Sequence, residues 1–270
     1  MTDSKRDEPP VLPFPPISDD QPLDVHEAML LAETRRLLGF PVEQPVLGRY
    51  ELIRTLGRGG TGVVYAARDR VSAKDIALKV FLCQADAIGA ETLEGARADI
   101  AIMTQISHPC VVAVHEFGVI DGHVFLAMEL VRGRSLREWR RHPAPYFRAI
   151  VGLYVQIAGG LSAAHRLGLV HGDFKPDNVL VPSDIVIPEP PKIVDFGIAA
   201  RLGDPIRAGT QEYMAPEQFA DQQATFLSDQ YGFCVSLFEQ LFGYHPYVGC
   251  SLQEFREIIA RRRPGIGTRE

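Results

Sequence analysis

From residue 50 to about 130 the apolar side chains fall in short alternating or β-branched runs separated by glycine turns. Beyond Gly133 they fall at helical spacing. This change of period within 129–135 constrains the fold more than any other feature, since the two patterns cannot share one layer. It predicts an α+β chain of two unequal lobes. The first is a small, mostly antiparallel sheet with strands over 50–56, 63–68, 76–81, 111–117 and 123–130, the last two joined by the turn Asp121-Gly122, and one helix over 91–106. The second is mainly helical, with its clearest segments at 149–167, 228–242 and 252–262.

Ahead of the sheet, residues 1–22 mix six prolines with charges and read as a disordered tail. Residues 23–47 form a short amphipathic helix and linker. Asp24 stands three residues before Glu27, Leu30, Leu31, Leu37 and Leu38 follow at helical spacing, and Gly39 and Pro41 stop the helix. So short a helix is marginal alone in water and is expected to dock within the chain.

Composition narrows the function classes. The 270 residues are 46% apolar with a net charge of -6 and a pI near 5.8, which argues against a nucleic-acid binder with a broad basic face. Cys83, Cys110, Cys234 and Cys250 lack paired spacing, so neither a zinc ribbon nor a disulfide framework is indicated, and reduced cytoplasmic thiols are expected. Residues 1–20 are charged and proline-rich rather than basic followed by apolar, so secretion is not expected. The apolar run 149–164 is too short and too interrupted, by Gln156 and Gly159-Gly160, for a membrane span, and reads as a core helix.

Three motifs carry chemistry. Gly57-Arg58-Gly59-Gly60-Thr61-Gly62-Val63-Val64 has GxGxxGxV spacing, and glycines there let backbone amides approach a polyphosphate. Val63-Val64-Tyr65 continues as strand, so the motif is a hairpin rather than the strand-to-helix turn of a dinucleotide site. Lys79, in the apolar strand Ala77-Leu78-Lys79, needs an anion if it points inward, and a nucleotide phosphate would supply one. His171-Gly172-Asp173-Phe174-Lys175-Pro176-Asp177-Asn178 and Asp195-Phe196-Gly197 together give one carboxylate to orient a hydroxyl and two oxygen ligands, Asn178 and Asp195, for Mg2+.

With these motifs in this order, the chain from about Gly48 onward resembles bacterial protein kinases of the eukaryotic-like (Hanks-type) serine/threonine class. The resemblance implies a bilobal fold with a small lobe at 48–131 and a large lobe at 132–270. It implies ATP and Mg2+ as cofactors and protein serine or threonine hydroxyls as acceptors. By the same resemblance Gly57, Gly59 and Gly62 cover the phosphates, with Arg58, Gly60 and Thr61 completing the loop. Lys79 holds the α- and β-phosphates, Asp173 acts as base, and Lys175 neutralises the transferred group. Met128 backs the adenine pocket, Glu129 and Val131 offer backbone hydrogen bonds, and Val64, Ala77 and Leu180 sandwich the ring. Gly209-Thr210-Gln211-Glu212-Tyr213-Met214-Ala215-Pro216-Glu217 is similar to the family's substrate-facing loop, with Thr210 near Asp173 and Lys175, and Asp229 is similar to its buried brace.

The chain departs from that pattern at three places. Gly172 replaces the arginine that binds a loop phosphate, and 198–209 contains no serine, threonine or tyrosine, so activity independent of loop phosphorylation is expected. Asp99 stands where the family has the helix glutamate that pairs with its lysine, and it is one carbon-carbon bond shorter. Few residues follow Arg262, so the large lobe lacks its last helices, and a partner, a missing segment or the 24–38 helix is expected to cover Glu217. Two alternatives stay open: a nucleotide-sensing pseudokinase scaffold, and a small-molecule phosphotransferase of the aminoglycoside or choline kinase kind, which shares His-Gly-Asp with a following asparagine.

Overall fold

The computed structural model describes residues 24–141, 146–182, 189–196, 211–221, 224–247 and 257. The proline-rich stretch 1–22, the segment 197–210 with Gly197 and Thr210, and the helix expected over 252–262 (Glu257 apart) lie outside the described residues.

Six antiparallel strands form the small lobe: β1 (Val46–Leu47), β2 (Tyr50–Gly59), β3 (Gly62–Asp69), β4 (Lys74–Gln84), β5 (Val114–Ile120) and β6 (His123–Glu129), in the order β1-β2-β3-β4-β6-β5. The expected strand at 111–117 starts late. Its first residues pair with the other lobe instead: Val112 N–H donates to Ile193 O at 3.0 Å and Ile193 N–H to Cys110 O at 2.8 Å.

Strand alternation sorts the sheet's side chains onto two faces. Val64 pairs with Lys79 and Ala77 with Met128, so these four share the inner face with Phe81 and Leu126. That face packs on helix α2 (Ala90–Met103) through Ala96, Ile100 and Met103. The alternate positions, Val63, Tyr65, Leu78, Val80 and Phe125, form the outer face and are equally buried. An apolar outer face needs a cover. Helix α1 (Val25–Leu37) supplies it with Val25 and Met29.

The 24–38 expectation is thus met as a helix docked within the chain. Its start carries the anticipated contact, Asp24 N–H to Glu27 Oε2 at 3.3 Å, and it ends where Gly39 adopts φ +76°. Its position corrects the thought that it covers Glu217. The apolar face of α1 matches the outer sheet of the small lobe, whereas Glu217 lies in the large lobe, half-buried on helix α5 (Pro216–Asp221).

The large lobe is built on α4 (Phe147–Arg166) and α6 (Phe226–Phe242). Ile150, Tyr154, Ile157, Leu161 and Ala164 recur at helical spacing on α4 and enter the main core, so this is a core helix although its length and apolarity would suit a membrane span. Thr225 and Ser228 cap α6 reciprocally, and Gly243 at φ +81° ends it. A small antiparallel sheet, β7 (Gly133–Ser135), β8 (Val179–Pro182) and β9 (Lys192–Ile193), with the short helix α3 (Leu136–Arg141), sits at the boundary between lobes and was not anticipated.

Candidate active site

The segment 171–178 links α4 to β8 and ends in a single 3₁₀ turn, Pro176–Asn178. Asp229 on α6, 1% exposed, braces it. Its carboxylate accepts the His171 and Gly172 N–H groups, both at 2.8 Å, and contacts His165 Nε2 at 2.7 Å. Each buried donor is thereby satisfied, which a loop in a protein interior requires. His171 is fully buried, packs on the rings of Phe174 and Phe196, and reaches Val194 O through Nε2 at 3.0 Å. Val194 N–H in turn donates to Asn178 O at 2.9 Å. Asp195, the next residue, is held at φ +58°, a conformation rare outside glycine.

This frame brings the predicted polar residues into one connected set. Lys175 Nζ lies 2.7 Å from Asp173 Oδ2. Asn178 Nδ2 donates to Asp173 O at 2.8 Å and to Asp173 Oδ2 at 3.3 Å, so its amide oxygen is the atom left to face a cation. Across the lobe boundary Lys79 Nζ donates to Asp195 Oδ1 at 2.8 Å. Burial pushes the Asp195 carboxyl up, but the charge and hydrogen bond of Lys79, with His171 and Lys175 adding to them, outweigh burial and hold it below the usual carboxylate range. The ion pair given to Lys79 is therefore with Asp195, on the other lobe, while Asp99 sits half-buried on α2.

Lys79 shares the inner face with Val64, Ala77 and Met128, and the side chains of Val131 and Leu180 are half-buried. At the edge of β6 the Glu129 N–H is spent on Ala113 O at 2.8 Å. Any backbone hydrogen bond Glu129 offers a ligand comes from its carbonyl.

The glycines of the hairpin divide into two kinds. A Cβ on Gly57 or Gly60 would meet nothing, and on Gly59 only Gly62 O at 3.9 Å, whereas on Gly62 it would come within 2.5 Å of Val80 O. Gly62 is thus needed by the strand packing itself. The other three leave an open backbone edge at exposed residues, the arrangement a polyphosphate can approach.

Sequence reasoning missed a second cluster beside this site. Arg137 on α3 makes a bidentate pair with Asp177 at 2.9 and 2.9 Å, donates to Glu239 Oε1 at 2.7 Å and to Tyr213 Oη at 2.8 Å, and Tyr213 also bonds Glu239. Arg137 lies in the charged run Arg137-Glu138-Trp139-Arg140-Arg141, which by itself reads as a solvated helix face. Thr210 lies outside the described residues.

The chain belongs to the protein kinase family: the protein kinase domain model matches residues 50–265. Its similar relatives within that family are mycobacterial serine/threonine-protein kinases. It is 37% identical over 238 residues to serine/threonine-protein kinase PknE of Mycobacterium tuberculosis, covering 81% of this chain and 40% of that protein. It is 37% identical over 215 residues to PknD of the same species, covering 76% and 31%. The chain therefore spans less than half the length of these relatives. Among solved structures, the PknI kinase domain of Mycobacterium tuberculosis matches at TM-score 0.61 with 25% identity, over 79% of this chain and 81% of that one. Rad53 in complex with AMP-PNP matches at TM-score 0.64 with 24% identity over 77% and 52%, which bears on the fold alone.

Proposed function

We propose that this chain transfers the γ-phosphoryl group of ATP to serine or threonine hydroxyls of proteins. The observation that carries the reading is the connected set Lys79–Asp195 and Asn178–Asp173–Lys175, which gathers at one seam the anion-binding, metal-binding and hydroxyl-orienting groups such a transfer needs.

Asp173 accepts the hydrogen bond of the acceptor hydroxyl and takes its proton as the hydroxyl oxygen bonds the γ-phosphorus. The bond from the γ-phosphorus to the oxygen bridging it to the β-phosphate breaks, and that oxygen leaves on ADP. Lys175, already 2.7 Å from Asp173, lies where it can neutralise the oxygens of the group in transit. Lys79 binds the α- and β-phosphates, and the open amides of 57–62 cover the chain of phosphates. The donor set fits Mg2+: a carboxylate and an amide oxygen from the protein suit a cation that keeps several waters and takes its remaining ligands from phosphate. Asn178 and Asp195 would hold Mg2+, which would supply charge neutralisation on the phosphate oxygens. Val64, Ala77, Met128 and Leu180 enclose the adenine, with the Glu129 carbonyl and the Val131 backbone at its edge. Thr210 selects the hydroxyl beside Asp173.

We place the activity in the cytoplasm, where ATP is supplied, in keeping with the undisulfided thiols of Cys110 and Cys234. The deciding experiment is phosphotransfer from radiolabelled ATP to generic serine/threonine peptides, comparing the wild-type chain with Asp173→Asn and Asp195→Asn. Transfer is expected in the wild type alone, and transfer that survives both substitutions sinks the assignment. Aminoglycosides and choline run alongside the peptides separate the small-molecule reading. Mg2+-dependent ATP binding without transfer identifies a pseudokinase.

A further inference from the structure

Helix α1 does more than cover the sheet. The outer edge of β2 is covered by the two-residue β1 only as far as Glu51, with one more bond from Leu52 N–H to Pro45 O at 2.8 Å. Past that point β2 is irregular against β3: its register slips between Leu52 and Arg54 and again between Thr55 and Gly57. A bulged edge strand leaves backbone donors without ladder partners. Between the two slips, Thr55 stays in register with Tyr65 of β3, and its N–H is taken by the Glu33 Oε1 carboxylate of α1 at 2.7 Å. Thr55 is two residues before Gly57, so this bond fixes the strand where it enters the glycine-rich hairpin.

The rest of α1 holds Glu33 in place. Met29, one turn earlier, is 1% exposed in the outer core. His26 Nδ1 meets Tyr65 Oη at 2.6 Å, and Asp24 Oδ1 meets His123 Nε2 at 3.1 Å. Arg58, within the hairpin itself, is among the charges felt at both His26 and Tyr65. The helix is thus anchored at its start on β3 and β6 and reaches the root of the hairpin with its last full turn.

We propose that Glu33 is a positioning residue for nucleotide binding, setting the approach of the 57–62 amides to the phosphates through its bond to Thr55 N–H. The inference rests on the kinase reading of the site, and it makes α1, which lies outside the matched kinase region, a part of the phosphate-binding apparatus.

The test compares Glu33→Ala, which removes the acceptor, with Glu33→Gln, which keeps a side-chain oxygen. Alanine is the best helix former, so α1 itself is retained. Three quantities are read: amide hydrogen exchange over 53–62 without nucleotide, the Kd for Mg-ATP by calorimetry, and the split between kcat and KM for ATP. In Glu33→Ala, exchange at Thr55 should accelerate about tenfold, as expected for losing a hydrogen bond to a charged acceptor. The ATP Kd and KM should rise by roughly threefold to tenfold on the same basis, with kcat nearly unchanged. Glu33→Gln should stay close to wild type in all three. Unchanged exchange and unchanged Kd in Glu33→Ala overturn the proposal, even if its melting temperature falls, because Glu33 then only secures the helix. Equal losses in the Ala and Gln variants overturn the hydrogen-bond account. A wild-type chain that fails to bind Mg-ATP overturns the kinase reading instead, while the exchange measurement still reports on Glu33.

Discussion

Lys79 of the small lobe and Asp195 of the large lobe are joined by a 2.8 Å hydrogen-bonded ion pair, with the lysine side chain only 9% exposed. A buried ammonium needs an anion, and here the anion is the same carboxylate that would hold the metal. The pair joins the two lobes directly.

Replacing Lys79 with Met should therefore act twice. It strands the Asp195 carboxylate, whose low pKa depends on the lysine to offset burial, and because Asp195 is partly exposed the loss of folding stability should be about 1–3 kcal/mol rather than the larger cost of a fully buried pair. It also removes an electrostatic contact to the phosphates, and transfer to peptide should fall by about 10²–10³-fold. Urea denaturation measures the first effect and steady-state kinetics the second. A variant with wild-type turnover would remove Lys79 from the site.

The hairpin glycines should separate by property. Gly62→Ala drives a Cβ to within 2.5 Å of Val80 O, a backbone atom that cannot swing away, and should cost about 1–3 kcal/mol of stability. Gly57→Ala meets nothing, so stability should change by no more than about 0.5 kcal/mol. Its Mg-ATP affinity should nevertheless weaken, since the methyl group projects from the edge the phosphates approach. Thermal melts of the two variants, paired with ATP titrations, distinguish the roles, and similar melting temperatures would contradict the division.

Legibility in the sequence followed the range of the interactions. The 50–69 hairpin and the loop 171–178 were readable because their geometry is set by neighbours in sequence: turn glycines, strand alternation, and the five-residue span from Asp173 to Asn178. The helix at 24–38 was readable from Asp24, Glu27 and Gly39, but not its seat, because the outer face it covers becomes visible only once β3, β4 and β6 are laid side by side. The strand at 111–117 was placed too early because Val112 is claimed by Ile193, a partner far along the chain. Arg137 lay hidden for the same reason, since Asp177, Tyr213 and Glu239 are 40, 76 and 102 residues away. Asp99 was the natural candidate to hold Lys79 by counting, and counting could not show that Asp195 approaches from the other lobe.

Stability should fall in mild acid, in part through α1. Burial, the largest influence, holds the pKa of His26 below its ordinary value; His123 and Arg58 push the same way and Asp24 opposes them. His245 is likewise lowered by burial. For a histidine depressed in the folded state, the unfolded chain binds the proton first. The full contribution is thus present above about pH 6.5 and is lost as pH falls through that value toward the folded pKa. Melting temperatures recorded from pH 8 down to about pH 5 should decline below that point. His26→Gln should flatten part of the decline, and a profile identical to wild type would show that His26 is not one of its sources.

Gly172 bears on how the site is kept in order. In the family an arginine there binds a phosphate on the loop, but here the residue is a glycine at φ +80°, and 198–209 has no hydroxyl to phosphorylate. Among the described residues, hydrogen bonds join the loop 171–178 to the segment 215–218. Asp229 accepts the Gly172 N–H at 2.8 Å, and the buried Gln218 donates through Nε2 to Gly172 O at 3.1 Å. Gln218 Oε1 accepts Ala215 N–H at 2.9 Å. The amide of Gln218 thus ties Ala215 to Gly172. Peptide phosphorylation should proceed at the same initial rate before and after exhaustive phosphatase treatment, with mass spectrometry confirming that no loop phosphate remains. Gln218→Ala removes both bonds of the tie and leaves Gly172 O and Ala215 N–H without that partner. It should cost about 1–3 kcal/mol and slow transfer. A rate that collapses on dephosphorylation and returns on rephosphorylation at Thr210 would show that phosphate, rather than Gln218, holds the two segments together.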